Sequence, residues 1–300
     1  MIERYLDFLS LEDTINLLDA NEKQLKPTLR VNTLKIKPDK LKKILEEKGF
    51  ELHLIDEIPY AFEIFNDNGN LGHLHEYLYG YYYLQNKASM YPPIILNPSF
   101  NETVIDMCAA PGGKSTHLSQ IMNNKGRLIL IEKNLKRIPA LQVNIRRMGV
   151  LNAIIINTDA SNILDLGLKA DKILLDAPCT GEGLIRQDPS RKQSKKLKDL
   201  KIMSEIQKDL LRVGLKSLKK GGTLLYSTCS IAPEENELVI NKILKEMNDI
   251  SIKKISKKFG TPGITKIKNN DLDDSLKHSQ RIYPHLHDTI GFFLCLLEKK

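Results

Sequence analysis

The stretch Thr103-Val-Ile-Asp-Met-Cys-Ala-Ala-Pro-Gly-Gly-Lys114 decides the fold. Four extended residues run into a turn with two glycines, and helical spacing follows at 115–122. An apolar strand, a glycine turn and a helix in that order make a cradle for a nucleotide-like ligand. The glycines let the backbone approach where a Cβ would clash, and the first helical N–H groups face the ligand. The alternation repeats from residue 91 onward. Arg127-Leu-Ile-Leu-Ile-Glu132, Ala153-Ile-Ile-Ile-Asn157, Lys172-Ile-Leu-Leu-Asp176 and Thr223-Leu-Leu-Tyr-Ser227 read as strands, with helical stretches around 135–148 and 202–219. Apolar runs of this kind are buried on both faces, which predicts an α/β fold: a mostly parallel sheet with helices on each side. Ligands in such sheets bind at the carboxyl ends of the strands. Two extended segments close the chain, the last at 290–297, and are expected to pair as a terminal antiparallel hairpin.

Three readings of the glycine turn compete. Gly113-Lys114-Ser115 matches the end of a phosphate-binding P-loop, and Asp176 could then hold magnesium. That motif needs a glycine five residues before its second one, where this chain has Cys108, and Pro111 stiffens the turn. A dinucleotide fold needs G-x-G-x-x-G, which is absent. The third reading is S-adenosylmethionine. Glu132 ends the next strand, 20 residues after Gly112, where an acid accepts from both ribose hydroxyls; Asp159 follows the third strand and is placed for the adenine edge. Each acid alone also reads as a cap or turn residue.

Two cysteines end strands: Cys179 in Asp176-Ala-Pro-Cys-Thr-Gly181 and Cys229 in Tyr226-Ser-Thr-Cys-Ser230. Paired thiols beside a cofactor turn point to methyl transfer onto carbon 5 of a cytosine. That carbon is a poor nucleophile until a thiolate adds to C6, which splits one difficult step into two. The second thiol helps remove the first. Either cysteine taken alone also reads as buried core, as does Cys295 within Gly291-Phe-Phe-Leu-Cys-Leu-Leu297.

Composition narrows the class. The chain has 300 residues, 41% hydrophobic and 27% charged, like an ordinary globular protein. Its first residues mix charges unlike a signal peptide, and no apolar run nears the roughly 20 residues that span a bilayer, so a cytoplasmic protein without membrane contact is expected. Four cysteines without a CxxC pair argue against a zinc site or disulfide scaffold. The net charge is +8, and residues 186–220 hold twelve Lys or Arg against four Asp or Glu, equal to the whole excess. Clustered cations suit a phosphate surface; a solvated helix face is the plainer alternative.

The domain boundary is expected at 90/91, with an N-terminal region at 1–90 and a catalytic domain at 91–300. Residues 1–22 read as short helices with Tyr5, Leu6, Leu9, Ile15 and Leu18 on one face. Strand, helix and strand follow at 28–34, 38–48 and 50–55, a lysine-rich piece similar to a small RNA-binding module. Asn66-Asp-Asn-Gly-Asn70 marks a turn. Tyr77, Tyr79, Tyr81, Tyr82 and Tyr83 read as a half-buried strand, with base stacking as the alternative. His73 with His75, and His285 with His287, lack the accompanying ligands a metal needs. Arg30 and Arg186 are candidates for phosphate contact or for surface ion pairs.

Taken together, the chain resembles the NOL1/NOP2/Sun family of RNA cytosine-C5 methyltransferases. The likeness runs through Leu29-Arg-Val-Asn-Thr33, Gln85-Asn-Lys-Ala-Ser89, Asp106 to Lys114, Glu132, Asp159, Asp176 to Gly181, Tyr226 to Ser230, Pro233-Glu-Glu-Asn236 and Arg281-Ile-Tyr-Pro284 through Gly291-Phe-Phe293. It implies a Rossmann-like S-adenosylmethionine-dependent fold with a small α+β N-terminal domain. It implies Cys229 as the nucleophile on C6, Cys179 as the residue aiding product release, Asp176 as the cytosine holder bordering the cofactor, and Lys114 near both. Cys108, Ala109, Ala110, Pro111, Gly112, Gly113, Lys114, Glu132, Arg137, Asp159 and Asp176 match cofactor positions. Thr180 stands where serine is common, and the chain has no tryptophan. The resemblance points to tRNA as substrate with ribosomal RNA second, and needs no protein partner; a non-catalytic RNA-binding or assembly factor is the alternative of a different class.

Overall fold

The computed structural model describes residues 2–66, 70–194 and 196–300. The chain forms two compact units, one of Met1–Leu25 with Asp159–Lys300 and one of Lys26–Thr158.

The first unit opens with α1 (Ile2–Tyr5) and α2 (Leu11–Glu22). Ser10 caps α2, its hydroxyl accepting from the Asp13 N–H at 3.0 Å.

The second unit begins with β1 (Thr28–Val31), α3 (Pro38–Glu46), β2 (Leu52–Ile55), β3 (Ile58–Ile64), α4 (His75–Leu78) and β4 (Tyr82–Leu84). Pro38 at the start of α3 presets its backbone, and Leu41 and Leu45, one turn apart, are fully buried. The sheet runs β2-β3-β1-β4, all antiparallel, around Leu29, Val31, Phe62 and Tyr82. The expected strand over the tyrosines needs correcting. Tyr77 lies in α4 and the chain turns at Gly80, so that only Tyr82–Leu84 is strand. Of the turn at 66–70, residues 67–69 lie outside the described residues.

The same unit continues through α5 (Lys87–Leu96), β5 (Thr103–Asp106), α6 (Gly113–Ile121), β6 (Arg127–Ile131), α7 (Ile138–Met148) and β7 (Ala153–Ile156). β5, β6 and β7 lie side by side and parallel, with Asp106 opposite Leu130 and Ile131 opposite Ile156. Their apolar residues are those read as strands, so the parallel trio follows from the sequence pattern.

The first unit resumes with β8 (Ala170–Asp176), α8 (Arg191–Ser194), α9 (Leu197–Ser217), β9 (Leu218–Thr228), α10 (Glu237–Glu246), β10 (Ile250–Ile252), β11 (Thr261–Pro262), β12 (Lys266–Ile267), β13 (Asn270–Asp271), β14 (Gln280–Ile282), α11 (Pro284–His287) and β15 (Phe292–Lys299). β8 and β9 are parallel. β15 runs antiparallel to β9, β14 and β10, with Cys295 opposite Tyr226 in the core. The terminal antiparallel pair is therefore β14 with β15, and the fold class is the expected Rossmann-like α/β arrangement with a small α+β N-terminal domain. The basic stretch falls largely on α9. Its Leu200, Leu210, Leu211 and Leu215 are buried, while Lys208 and Arg212 pair with Glu205 and Glu246 on the outside. Part of that charge thus belongs to a solvated amphipathic face. Among the described residues, no helix is long and apolar enough to cross a membrane.

Candidate active site

The parallel register of β8 and β9 sets Asp176 opposite Ser227, so both strands end at the same level. Cys179 follows three residues after Asp176, and Cys229 two residues after Ser227. Their sulfurs lie 3.1 Å apart, as a thiol–thiol hydrogen bond, and both side chains are half-buried. The Ser227 hydroxyl donates to Asp176 Oδ1 at 2.9 Å, which fixes the carboxylate beside the thiols' loops.

One short segment after β9 clamps both loops. Glu235 is buried; one carboxylate oxygen accepts from the Thr180 N–H at 2.8 Å and the other from the Thr180 hydroxyl at 2.7 Å. Gln207 of α9 donates to the same carboxylate at 3.2 Å and to the Pro178 carbonyl at 2.8 Å. The next residue, Asn236, accepts from the Thr228 hydroxyl at 2.6 Å and donates to the Ser230 carbonyl at 2.9 Å. Adjacent residues therefore pin the turn that carries Cys179 and the turn that carries Cys229. Gly183 closes the gap: its N–H donates to the Cys229 carbonyl at 3.0 Å, and an added Cβ would stand 2.8 Å from that oxygen and 2.3 Å from the Gly291 carbonyl. Farther out, Arg4 bridges Glu182 at 2.8 Å and Glu234 at 2.9 Å.

The electrostatics favour the protonated form of two buried groups here. The hydrogen bond that Cys179 donates to Cys229, burial, and the Glu235 and Asp176 carboxylates all push the Cys179 thiol well up. Cys179 thus holds its proton at neutral pH. Burial also raises the Glu235 carboxyl, although Thr180 and Gln207 oppose that shift. Below this layer Arg281 is buried against Glu237, with Nε to Oε1 at 2.5 Å and Nη2 to Oε2 at 2.7 Å. It also donates to the Ile231 carbonyl at 3.0 Å, tying the segment after Cys229 to the core.

The glycine turn belongs to the other unit. Asp106 ends β5 and accepts from the Ser115 hydroxyl at 2.7 Å, so that the strand end and the start of α6 are tied. Ala110–Pro111 is a cis peptide bond, and Gly112 has φ 105°. An alanine there would be strained, with its Cβ 3.1 Å from Leu141. Glu132 is buried: Oε2 accepts from the Ala110 N–H at 3.3 Å and Oε1 from the Asn134 N–H at 2.8 Å. Arg137 donates to the Ala110 carbonyl and lies 3.5 Å from Glu132. Cys108, Gly113 and Lys114 are half-buried along this turn. Arg30 and Gln85 support it from below. Arg30 is fully buried and donates to Thr116 at 2.8 Å, Gln85 at 3.2 Å and the Gly113 carbonyl at 3.3 Å.

Cys179, Cys229 and Asp176 thus come together in one unit, and Cys108 to Gly113, Glu132 and Arg137 in the other. Asp159 caps a short turn, accepting from the Ser161 N–H at 3.0 Å. Two sequence readings need correction. Arg30 is a core residue, and Arg186 is nearly buried, donating to the Lys23 carbonyl at 2.9 Å and pairing with Asp288 at 2.7 Å. Neither is a surface contact for phosphate. His285 lies buried 3.5 Å from Asp13 of α2. Glu235, Asn236 and Gln207 were absent from the expected site. The motif Pro233-Glu-Glu-Asn236 was the signal for the first two, whereas Gln207 looks like any polar position of an amphipathic helix.

Comparison with known proteins identifies the family. The family model for the 16S rRNA methyltransferase RsmB/F matches residues 93–298, and a model for the ferredoxin-like domain of RsmF/B-like methyltransferases matches residues 1–67. A human 28S rRNA (cytosine(4447)-C(5))-methyltransferase is 35% identical over all of this chain, which spans 37% of that relative's length. A tRNA (cytosine(49)-C(5))-methyltransferase of Pyrococcus abyssi is 34% identical over all of this chain and 95% of its own. The crystal structure of a methyltransferase homolog protein from Pyrococcus horikoshii superposes with a TM-score of 0.90 at 38% identity, covering 99% of this chain and 94% of that one. The chain belongs to the RsmB/F family of methyltransferases.

Proposed function

We propose that the protein methylates carbon 5 of cytosine in RNA, with S-adenosylmethionine as methyl donor, through a covalent bond from Cys229 to C6. The observation that carries this reading is the pair of thiols 3.1 Å apart at two adjacent strand ends, with Asp176 held beside their loops. The donor fits the glycine turn. Gly112, at a positive φ that side chains rarely adopt, shapes the turn, and the buried Glu132 carboxylate, with acceptor positions to spare, is the proposed partner of the ribose hydroxyls. Residues 108–114, Glu132, Arg137, Asp159 and Asp176 are the proposed holders. When bound, the donor supplies an electrophilic methyl on a cationic sulfur, to which an activated C5 is open.

The chain's own residues perform the rest. Cys229 gives its proton to solvent, and the thiolate's electron pair forms the bond to C6 as the C5–C6 π bond breaks and its pair moves onto C5. Asp176 holds the ring at N3 and N4. After transfer the C5 proton leaves to a base, the C5–C6 double bond re-forms and Cys229 departs as thiolate. Cys179, kept protonated by its surroundings, supplies the proton that quenches this leaving thiolate.

Two observations favour tRNA. The Pyrococcus abyssi relative, matched over nearly its full length, is named for tRNA, and the chain spans much less of the human relative named for rRNA. Ribosomal RNA is the second reading. The test is incubation with methyl-labelled S-adenosylmethionine and separate tRNA and rRNA pools, followed by nucleoside analysis. Labelled 5-methylcytidine from the tRNA pool is expected; label in another nucleoside would sink the assignment.

A further inference from the structure

The tyrosine cluster and the lysines at the start of α3 meet at a feature that the proposed chemistry does not use. A concave pocket of about 620 Å³ is lined by Lys35, Ile36, Lys37, Lys40, Ile44 and Tyr81. Its volume lies in the range that holds small ligands. Residues 35–43 carry five lysines and one acid, Asp39. Lys35 is structural: its amine donates to the Tyr79 carbonyl at 2.8 Å and the Arg147 carbonyl at 2.7 Å. Lys42 sits 3.6 Å from Glu46. Lys37 and Lys40 are exposed at the pocket wall. Tyr79, 62% exposed, lies beside Tyr81 with ring centroids 5.9 Å apart, and its ring centroid is 6.3 Å from that of His75. An exposed tyrosine held by aromatic neighbours is a ready stacking surface, because its orientation is already fixed.

Cations beside exposed aromatic rings, over an apolar floor, form the combination that grips single-stranded nucleic acid. The amines meet phosphates, and the rings stack on bases without regard to sequence. We propose that this pocket holds one unpaired nucleotide of the substrate RNA, with Lys37 and Lys40 on its flanking phosphates, Tyr79 and Tyr81 against the base, and Ile36 and Ile44 beneath. The proposal rests on the RNA reading above and adds a second contact, remote in sequence from the thiols and the glycine turn.

The test uses the full chain, with a Lys37→Gln/Lys40→Gln double variant and a separate Tyr79→Ala variant. All three residues are exposed, so melting temperatures should match the unaltered chain. Fluorescence anisotropy with a labelled tRNA transcript, a 12-nucleotide single-stranded RNA and a duplex of the same sequence is measured between 50 and 200 mM salt. The double variant should lower the slope of log affinity against log salt on the single strand by about 1.4, roughly 0.7 for each lost phosphate contact. Tyr79→Ala should weaken single-strand binding roughly tenfold while leaving the slope and the duplex affinity alone. S-Adenosylmethionine affinity should not move in any variant. RNA binding with unchanged slope and affinity in both variants would overturn the pocket and leave the RNA reading intact. No RNA binding by the unaltered chain would overturn both, and equal losses on duplex and single strand would replace nucleotide capture with general charge attraction.

Discussion

Two regions, the thiol loops of one unit and the glycine turn of the other, are held by opposite means. The thiol half depends on side chains: Glu235, Asn236 and Gln207 reach from neighbouring elements to tie the turns carrying Cys179 and Cys229. The glycine half depends on missing side chains and on backbone, with Gly112 at positive φ and the Ala110 N–H and carbonyl bound by Glu132 and Arg137. The difference fits the role proposed for each region. A nucleophile has to be placed to within a fraction of an ångström and kept there, which favours buried, fully satisfied hydrogen bonds. A turn that receives a bulky cofactor has to stay open, which favours residues that occupy no space.

Substitutions can break this contrast at either end. The largest effect is expected for Cys229→Ala, which removes the proposed attacking atom: methyl transfer should fall by at least three orders of magnitude while cofactor affinity, read by calorimetry, stays within twofold. A comparable loss of cofactor binding would place Cys229 in the wrong half. Next comes Glu235→Ala, which leaves the buried Thr180 donors unpaired and takes one of two acceptors from the Gln207 amide. Loss of about 3 kcal/mol in stability is expected, at roughly 1–3 kcal/mol per orphaned buried group, seen as a lower denaturant midpoint with an unchanged slope. Glu235→Gln keeps one acceptor and should lose only about 1 kcal/mol. Equal stability in the two variants would show that the clamp holds nothing. Gly112→Ala tests the other half. The chain should fold, but cofactor affinity should drop about tenfold, near 1.4 kcal/mol, with thiol alkylation rates unchanged.

A smaller effect sharpens the picture below the glycine turn. His117 of α6 is fully buried, its Nε2 2.9 Å from the Tyr60 hydroxyl, and burial together with Arg30 holds its pKa well below the usual histidine value. A base with a depressed native pKa stays neutral in the fold and takes up a proton on unfolding. Its contribution is therefore whole above about pH 6.5 and fades as pH falls beneath that value. His117→Gln should flatten the pH dependence of the unfolding midpoint between about pH 5 and 6.5. An unchanged profile would assign the acid sensitivity elsewhere.

How far the sequence foretold these halves varies in the same way. The parallel strands were legible because each is a continuous apolar run, and the thiols because each follows such a run in a polar turn. The glycine turn was legible for the same reason, since its conformation demands its residues. The side-chain clamp was not. Glu235 is one of two adjacent glutamates, and nothing local says which one is buried; only the packing of α9 across the strand ends decides it. Arg30 was misread as a surface cation because its partners, Gln85, Thr116 and Gln120, lie 55 to 90 residues away and carry no charge to pair with. The tyrosines read as strand through their number, whereas Gly80 turns the chain between them. The prolines Pro92 and Pro93 hid α5, which accommodates both near its middle.

The most direct test of the account is a denaturing gel of the Cys179→Ala variant after incubation with tRNA and S-adenosylmethionine. If Cys229 attacks the base and Cys179 supplies the proton for its departure, the variant should retain a slow-moving protein–RNA band that disappears in the Cys179→Ala/Cys229→Ala double variant. A variant that turns over normally without any such band, or a band that survives loss of Cys229, would contradict the assignment of the two thiols.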